Sequence, residues 1–206
     1  MPVEGEPTVY LIDDDADVRE ALDALLRSIG LSVECFASVE AFLEAGRLGN
    51  PGCLLLDVRL SGQSGLAFQS ELVGQGVETP VILMSGHADV PMAVRAMKNG
   101  AIEFLTKPVR PQDLIDAVNL ALARDAARRR ERRDTDQLMQ AFETLTERER
   151  EVMDLIVGGH SNKTAAEHLG LSEATVKAHR ASVTRKMGAG SLAQLVDMAQ
   201  QLKFGR

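Results

Sequence analysis

The chain has 206 residues, of which 45% are hydrophobic, 26% charged and 3% aromatic, with a formal net charge of −7. That balance fits one large or two small soluble domains with a real core and argues against disorder or a fibrous repeat. No stretch approaches the roughly 18 uncharged apolar residues of a membrane helix. Glu4 and Glu6 stand where a signal peptide would be basic and then apolar, so a cytoplasmic location without membrane contact is expected. Cys35 and Cys53 both sit in short apolar runs and read as buried small hydrophobes, and two cysteines are too few for structural zinc.

The charge divides the chain. Residues 1–123 hold 8 Lys or Arg against 18 Asp or Glu, a net of −10, and residues 124–206 hold 15 against 12, a net of +3. An acidic front half suits a cation site, and a mildly basic back half suits an anionic partner. The expected organisation is a first domain over 1–123, a helical linker over 124–143 and a second domain over 144–206. The linker follows from Leu114, Ile115, Val118 and Leu122 at helical spacing, after which residues 128–137 carry no apolar side chain. Its five arginines between Arg128 and Arg133 fit a charged linker helix or a nucleic-acid patch.

Five strand-length apolar runs mark the front half, at 9–12, 33–36, 53–56, 81–84 and 102–105. Three of them show little polar alternation, the pattern of parallel strands covered by helices on both faces. Helical stretches lie between. Val18, Leu22, Leu25, Leu26 and Ile29 share a spacing that stops at Gly30, and Asp89 followed by Pro91 marks a helix start. Five such units predict a doubly wound α/β fold, a five-stranded parallel sheet of flavodoxin-like order 2-1-3-4-5. Its ligand site falls at the carboxyl ends of the strands, where the order reverses between strands one and three.

That geometry selects residues. Strand one leads into Asp13, Asp14 and Asp15, strand three ends in Asp57, strand four delivers Ser85, and strand five delivers Lys107 just before Pro108. Carboxylates gathered without His or Cys favour a hard divalent ion, Mg²⁺ above zinc or copper. A Lys ammonium and a Ser hydroxyl beside that ion would receive a phosphoryl group, with an Asp as the nucleophile. An acidic run after a strand can also be a helix N-terminus favouring negative charge, and a lone Asp57 at a strand end says little. The joint occurrence of acid pair, single Asp, hydroxyl and Lys-Pro at four strand ends is what makes coincidence the poorer account.

Residues 9–123, through LIDDD, LLLDVRL, LMSGH and FLTKP, resemble the receiver domain of two-component response regulators. The resemblance implies that Asp57 accepts a phosphoryl group from a sensor histidine kinase. It further implies that Asp13, Asp14, Asp57 and the backbone carbonyl of Arg59 hold Mg²⁺, and that Ser85 and Lys107 hold phosphoryl oxygens. Phe104 would be the aromatic whose rotamer reports the switch, and the Lys107–Pro108 peptide would be cis. Ser61 departs from the proline common at its position, which loosens a loop without removing a functional atom. Ser85 stands for the commoner Thr and keeps the hydroxyl.

The back half is helical from Leu145, with breaks at 158–159, 170 and 188–190. Thr146 followed by Glu149 predicts a capping box, opening a helix whose apolar face is Val152, Leu155 and Ile156. Four short helices are expected. On the third, Val176, Val183 and Met187 share the inward face with Arg180 close by, while Lys177, Ala178, Ala181 and Arg185 lie opposite. Long cations interleaved with small side chains let a helix enter a major groove. The short helix over 162–169 and the turn at 170–172 complete a helix-turn-helix, an arrangement that also serves protein contacts. Few aromatics argue against base stacking and leave duplex DNA as the better target.

LTERERE, SNKTAAEHLGLSEATVKAHRASVTRKMG and SLAQLV resemble the LuxR-type helix-turn-helix across 144–203. The family implies base readout around Lys177, Ala178 and Ala181, with Arg185 on the same face, and phosphate contacts from Lys163, Thr175, His179, Arg180 and Lys186. Ala165 sits where a larger aliphatic is usual, and His160 and His168 receive no role. The last helix, with Leu192, Leu195, Val196, Ala199 and Leu202, is expected both to complete the core and to contribute to a dimer seam. The stretch SGHADVPMAVRAMKNGAIEFLTKP joined to this module resembles the FixJ group of regulators, which implies control of nitrogen-fixation and microaerobic genes. The chain is then a homodimer when phosphorylated and a monomer or weak dimer otherwise, with promoter DNA and RNA polymerase as partners. It is not an enzyme beyond slow self-dephosphorylation. Two rival readings are an aspartate-based phosphatase with Asp13 as nucleophile and Asp15 as acid, and a protein-interaction module that does not bind DNA. Asp17 stands where that phosphatase class carries a hydroxyl.

Overall fold

The computed structural model describes residues 5–87 and 89–204. The strands are β1 (Thr8–Ile12), β2 (Ser32–Phe36), β3 (Gly52–Asp57), β4 (Val81–Ser85) and β5 (Glu103–Thr106). Between them run α1 (Ala16–Ser28), α2 (Val39–Glu44), α3 (Gly65–Gly74) and α4 (Val90–Lys98), and α5 (Pro111–Glu143) follows β5. All neighbouring strands pair in parallel in the order β2-β1-β3-β4-β5, so the expected doubly wound sheet is present and its order reverses between β1 and β3.

The absence of alternation in the central strands has its physical cause in that placement. Every residue of β3 and β4 is buried, and so is β1 after its first residue. Odd and even positions serve two different cores. Val9, Leu11, Leu55, Ile82 and Met84 meet Leu22 and Leu26 of α1 and Leu114 and Val118 of α5. Tyr10, Ile12, Leu54, Leu56 and Leu83 face Phe42 of α2 and Phe68 and Leu72 of α3. The edge strand β2 is different, because one margin has no neighbour. Cys35 lies exposed on it, contrary to the expectation of burial, and only Cys53 is in the core. A run of four residues such as 33–36 does not distinguish a central strand from an edge.

Local signals close the elements as read. Asp15, Ser38 and Asp89 cap α1, α2 and α4 through their side chains, Pro91 lies in the first turn of α4, and Gly30 follows α1 at φ +85. On α5, Asp125 is 2% exposed and accepts the Gly52 amide at 2.9 Å. The compact units are Met1–Arg128 and Arg129–Arg206. Residues 130–137 of α5 are exposed, and Leu138 is buried within the second unit.

The second unit contains α6 (Glu147–Val157), α7 (Asn162–Leu169), α8 (Glu173–Met187) and α9 (Leu192–Phe204). Thr146 and Glu149 form the expected reciprocal capping box. Gly170 takes the left-handed conformation at φ 64 between α7 and α8, a conformation a side chain would strain, and Ser172 caps α8. Val152, Ile156, Ala165, Ala166 and Val176 form one cluster, with Ala165 fully buried. Val183, Met187, Leu195, Ala199 and Leu202 belong to another, while Leu192 is exposed. Among the described residues no helix is long and apolar enough to cross a membrane.

Candidate functional site

The carboxyl ends of β1, β3 and β5 deliver three charged groups to one point. Lys107 Nζ donates to Asp13 Oδ2 at 2.5 Å and to Asp57 Oδ2 at 2.6 Å. Asp13 is fully buried and Asp57 is 6% exposed, so the ammonium bridges two carboxylates largely withdrawn from water. Asp14 is exposed, and its Oδ2 accepts the Ser61 amide at 3.0 Å. Asp13, Asp14 and Asp57 each offer an oxygen within 4.8 Å of the others.

Electrostatics explains what such a cluster can accept. Burial pushes the Asp13 carboxyl above its usual range, and the Lys107 hydrogen bond offsets this only in part. For Lys107, burial pulls the ammonium downward, but its hydrogen bonds to Asp13 and Asp57 prevail and raise it above its ordinary value. One ammonium faces two carboxylates, with a third beside them, and that negative excess in a poorly solvated place favours a divalent cation. An oxygen-only donor set fits a hard ion such as Mg²⁺.

The flanking loops shape this point through backbone groups. Arg59 donates its amide to Asp57 Oδ1 at 3.1 Å, and Asp13 Oδ1 accepts the Asp15 amide at 3.0 Å. Arg19 of α1 reaches the Asp13 carbonyl at 2.6 Å. Asp15 itself turns to the α1 N-terminus, where it accepts from Asp17 and Val18, so the third acid of the run is a helix cap and not a partner of Asp57. At Gly65 a Cβ would stand 2.1 Å from the Asp57 carbonyl oxygen, so glycine is what lets α3 start against the end of β3.

Ser85 ends β4 fully buried, its carbonyl accepting the Lys107 amide at 2.9 Å and its Oγ accepting the His87 amide at 3.3 Å. The Lys107–Pro108 peptide is cis. Phe104 stands apart from the acids, half-buried against the Phe42 and Phe68 face of the sheet and paired in register with Leu83.

In the second unit, α8 turns Val176, Val183 and Met187 inward, all below 5% exposure. Lys177, Ala178, Ala181 and Arg185 are exposed on it, as are Thr175 near its start and Lys163 on α7. His179 and Arg180 are half-buried, and Arg180 donates to Asn162 Oδ1 at 3.2 Å. Lys186 differs from the other cations. Its Nζ contacts Glu149 Oε2 at 2.6 Å and the Thr144 carbonyl at 3.0 Å. Glu149 is 5% exposed and also accepts from Ser182 Oγ at 2.6 Å and from the Thr146 amide at 2.8 Å. These bonds, the one from Lys186 foremost, pull its carboxyl down to about 2.

Residues missed in the sequence reading are therefore Ser61, Gly65, Arg19 and Glu149 in its second role. The first two act through backbone placement, which composition does not display. Glu149 showed its cap spacing but not its partner on α8.

Residues 9–119 match the family described as response regulator receiver domain, and residues 143–199 match that described as bacterial regulatory proteins, luxR family. The chain belongs to the response regulators: it is a two-component response regulator carrying a LuxR-type DNA-binding domain. It is similar to Nodulation protein W of Bradyrhizobium diazoefficiens, at 46% identity over 94% of this chain and 86% of that one. It is equally similar to the transcriptional regulatory protein FixJ of Azorhizobium caulinodans, at 46% over 93% and 90%. Among solved structures, the response regulator StyR matches with a TM-score of 0.88 and 45% identity, covering 96% of this chain and 100% of that one. This membership removes the phosphatase reading of Asp13. It implies a kinase as phosphodonor, DNA as partner and Mg²⁺ at an acidic pocket of the kind formed here.

Proposed function

We propose that Asp57 is the phosphoacceptor. Its carboxylate oxygen attacks phosphorus on the phosphohistidine of a sensor kinase, forming a P–O bond as the P–N bond breaks, and histidine leaves. Asp13, Asp14, Asp57 and the Arg59 carbonyl hold Mg²⁺, which neutralises charge on the phosphoryl oxygens when bound. Lys107 then trades its bond to Asp57 Oδ2 for one to a phosphoryl oxygen, and Ser85 Oγ donates to another. The observation that carries this reading is the Lys107 bridge to Asp13 and Asp57 at 2.5 and 2.6 Å.

The charge placed on Asp57 biases a two-state element. Ser85 is drawn toward the phosphoryl group, Phe104 follows, and the surface of α4 and β5 changes so that two receivers pair. Val90, Val94 and Met97, exposed on α4, supply apolar area for that pairing. The chain is a homodimer in this state and a monomer or weak dimer before it. The receiver occupies 1–123, a helical linker 124–143 and the DNA-binding domain 144–206.

Dimerisation sets two α8 helices on a paired site in duplex promoter DNA, roughly one helical turn apart or a multiple of it. Lys177, Ala178, Ala181 and Arg185 meet base edges. Lys163, Thr175, His179 and Arg180 contact phosphates. Lys186 is assigned to Glu149 in the first place and to phosphate only in the second. RNA polymerase is the further partner, the location is cytoplasmic, and self-dephosphorylation is slow. Its targets are nitrogen-fixation and microaerobic genes, and the names of the FixJ and Nodulation protein W relatives favour the first of these.

Promoter-fragment gel shifts and light scattering on the full chain, with Mg²⁺ and acetyl phosphate, test this. Tighter DNA binding and dimers are expected for the wild type and neither for Asp57→Asn. Equal responses from the two proteins would contradict it.

A further inference from the structure

Among the described residues, three buried side-chain atoms lack a hydrogen-bond partner: Gln69 Oε1, Arg128 Nη1 and Arg150 Nε. Two of them belong to residues lining a single cleft of about 600 Å³ in the first unit. This cleft lies at the start of β4, beside Pro80 and Val81, and therefore a strand length, about 13 Å, from the carboxyl ends that hold Asp57 and Ser85.

The orientation of Gln69 is fixed. Its Nε2 donates to the Ala96 carbonyl at 3.1 Å and the Asn99 carbonyl at 3.4 Å, at the C-terminal end of α4. Oε1 is thereby left as an acceptor without a donor in a residue 1% exposed, and an unpaired buried polar group is destabilising. Arg128 gives Nη2 to Asp125, while its Nη1 finds only Glu78 Oε2 at 3.9 Å, beyond hydrogen-bond distance. Arg124, one turn earlier on α5, is exposed at the same cleft. Leu72, Val73, Val77 and Ile102 supply apolar wall between these groups.

We propose that this cleft binds a small amphipathic monocarboxylate with a hydrogen-bond donor at its far end. The donor satisfies Gln69 Oε1, the apolar body lies against Leu72, Val77 and Ile102, and the carboxylate meets Arg128 and Arg124. A rigid body suits the site because it loses less conformational freedom on binding. Glu78, beside Arg128 with 69% of its side chain exposed, repels a dianion and so disfavours phosphate esters. The inference is independent of the phosphoryl site, which lies at the other end of the strands.

The test is a titration of the full chain, ¹⁵N-labelled, with 4-hydroxyphenylacetate, with phenylacetate, which lacks the donor, and with 4-hydroxyphenylacetamide, which lacks the charge. Saturable amide shifts are expected around Gly76, Val77, Asn99 and Gly100 for the hydroxy acid. Each analogue should bind about tenfold more weakly, the effect of one hydrogen bond. Arg124→Glu, an exposed change that leaves Gln69 in place, should weaken the acid and not the amide. Absence of saturable shifts, shifts centred elsewhere, or equal affinity for the three compounds would overturn the assignment.

Discussion

Lys107 holds Asp57 at 2.6 Å with the same ammonium that holds Asp13 at 2.5 Å, so one cation from β5 keeps the ends of β1 and β3 together against their mutual repulsion. Replacing it with an uncharged side chain of similar length exposes that repulsion. Lys107→Met is expected to cost about 3–5 kcal/mol in metal-free buffer, the range for removing one member of a buried ion pair. Urea unfolding with and without Mg²⁺ checks this. Mg²⁺ should restore part of the loss, and an unchanged midpoint would mean the pair is not what stabilises the strand ends.

A second prediction concerns Gly65. Any Cβ there meets the Asp57 carbonyl oxygen at 2.1 Å, and the neighbouring Leu56 side chain is also close. Gly65→Ala is expected to destabilise the first unit by about 1–3 kcal/mol, as overpacking does. It should also slow labelling by acetyl phosphate, because the displaced backbone belongs to the acceptor. Normal labelling kinetics in a destabilised protein would separate the two effects.

The second unit carries a pH signature. The Glu149 carboxyl is lowered from an ordinary 4.5 to about 2, chiefly by Lys186, then by Ser182 and the Thr146 amide. The unfolded chain therefore binds the proton first as pH falls. The stabilisation is complete above pH 4.5 and disappears as the pH drops toward 2. Thermal unfolding followed across that window should show the second unit losing stability, and Glu149→Gln should flatten the dependence while lowering stability at neutral pH. A variant with the wild-type pH profile would refute the role.

DNA binding separates Lys177 from Lys186. Lys177 is exposed on α8, so Lys177→Ala should cost about 1–3 kcal/mol of affinity if it reads a base, or lower the salt slope by about one if it meets phosphate. Lys186→Met should instead destabilise the unit, since it leaves the buried Glu149 carboxylate without its cation. Gel shifts over a salt series alongside thermal melts distinguish these outcomes.

Much of this was legible in the residues. Unbroken apolar runs announce β1, β3 and β4 because both faces of those strands are covered, and the chemistry follows at their ends in Asp13, Asp57 and Ser85, with Lys107 after β5. What stayed hidden has specific causes. A carboxylate just after a strand serves equally as cap or ligand, and only the turn geometry sends Asp15 to α1 while Asp13 stays with Lys107. Cys35 read as buried because a short run does not reveal an edge strand. Ser61 contributes its amide, a group every non-proline residue has, so no side-chain pattern marks it. Lys186 looks like any cation on a recognition helix until Glu149, 37 positions earlier, is seen beside it.

The most direct measurement is to locate the phosphoryl group itself. Full-length protein treated with acetyl phosphate and Mg²⁺, trapped by borohydride reduction and mapped by peptide mass spectrometry, should carry a single modified residue, Asp57. Modification of Asp13 instead, or undiminished modification in Asp57→Asn, would contradict the account.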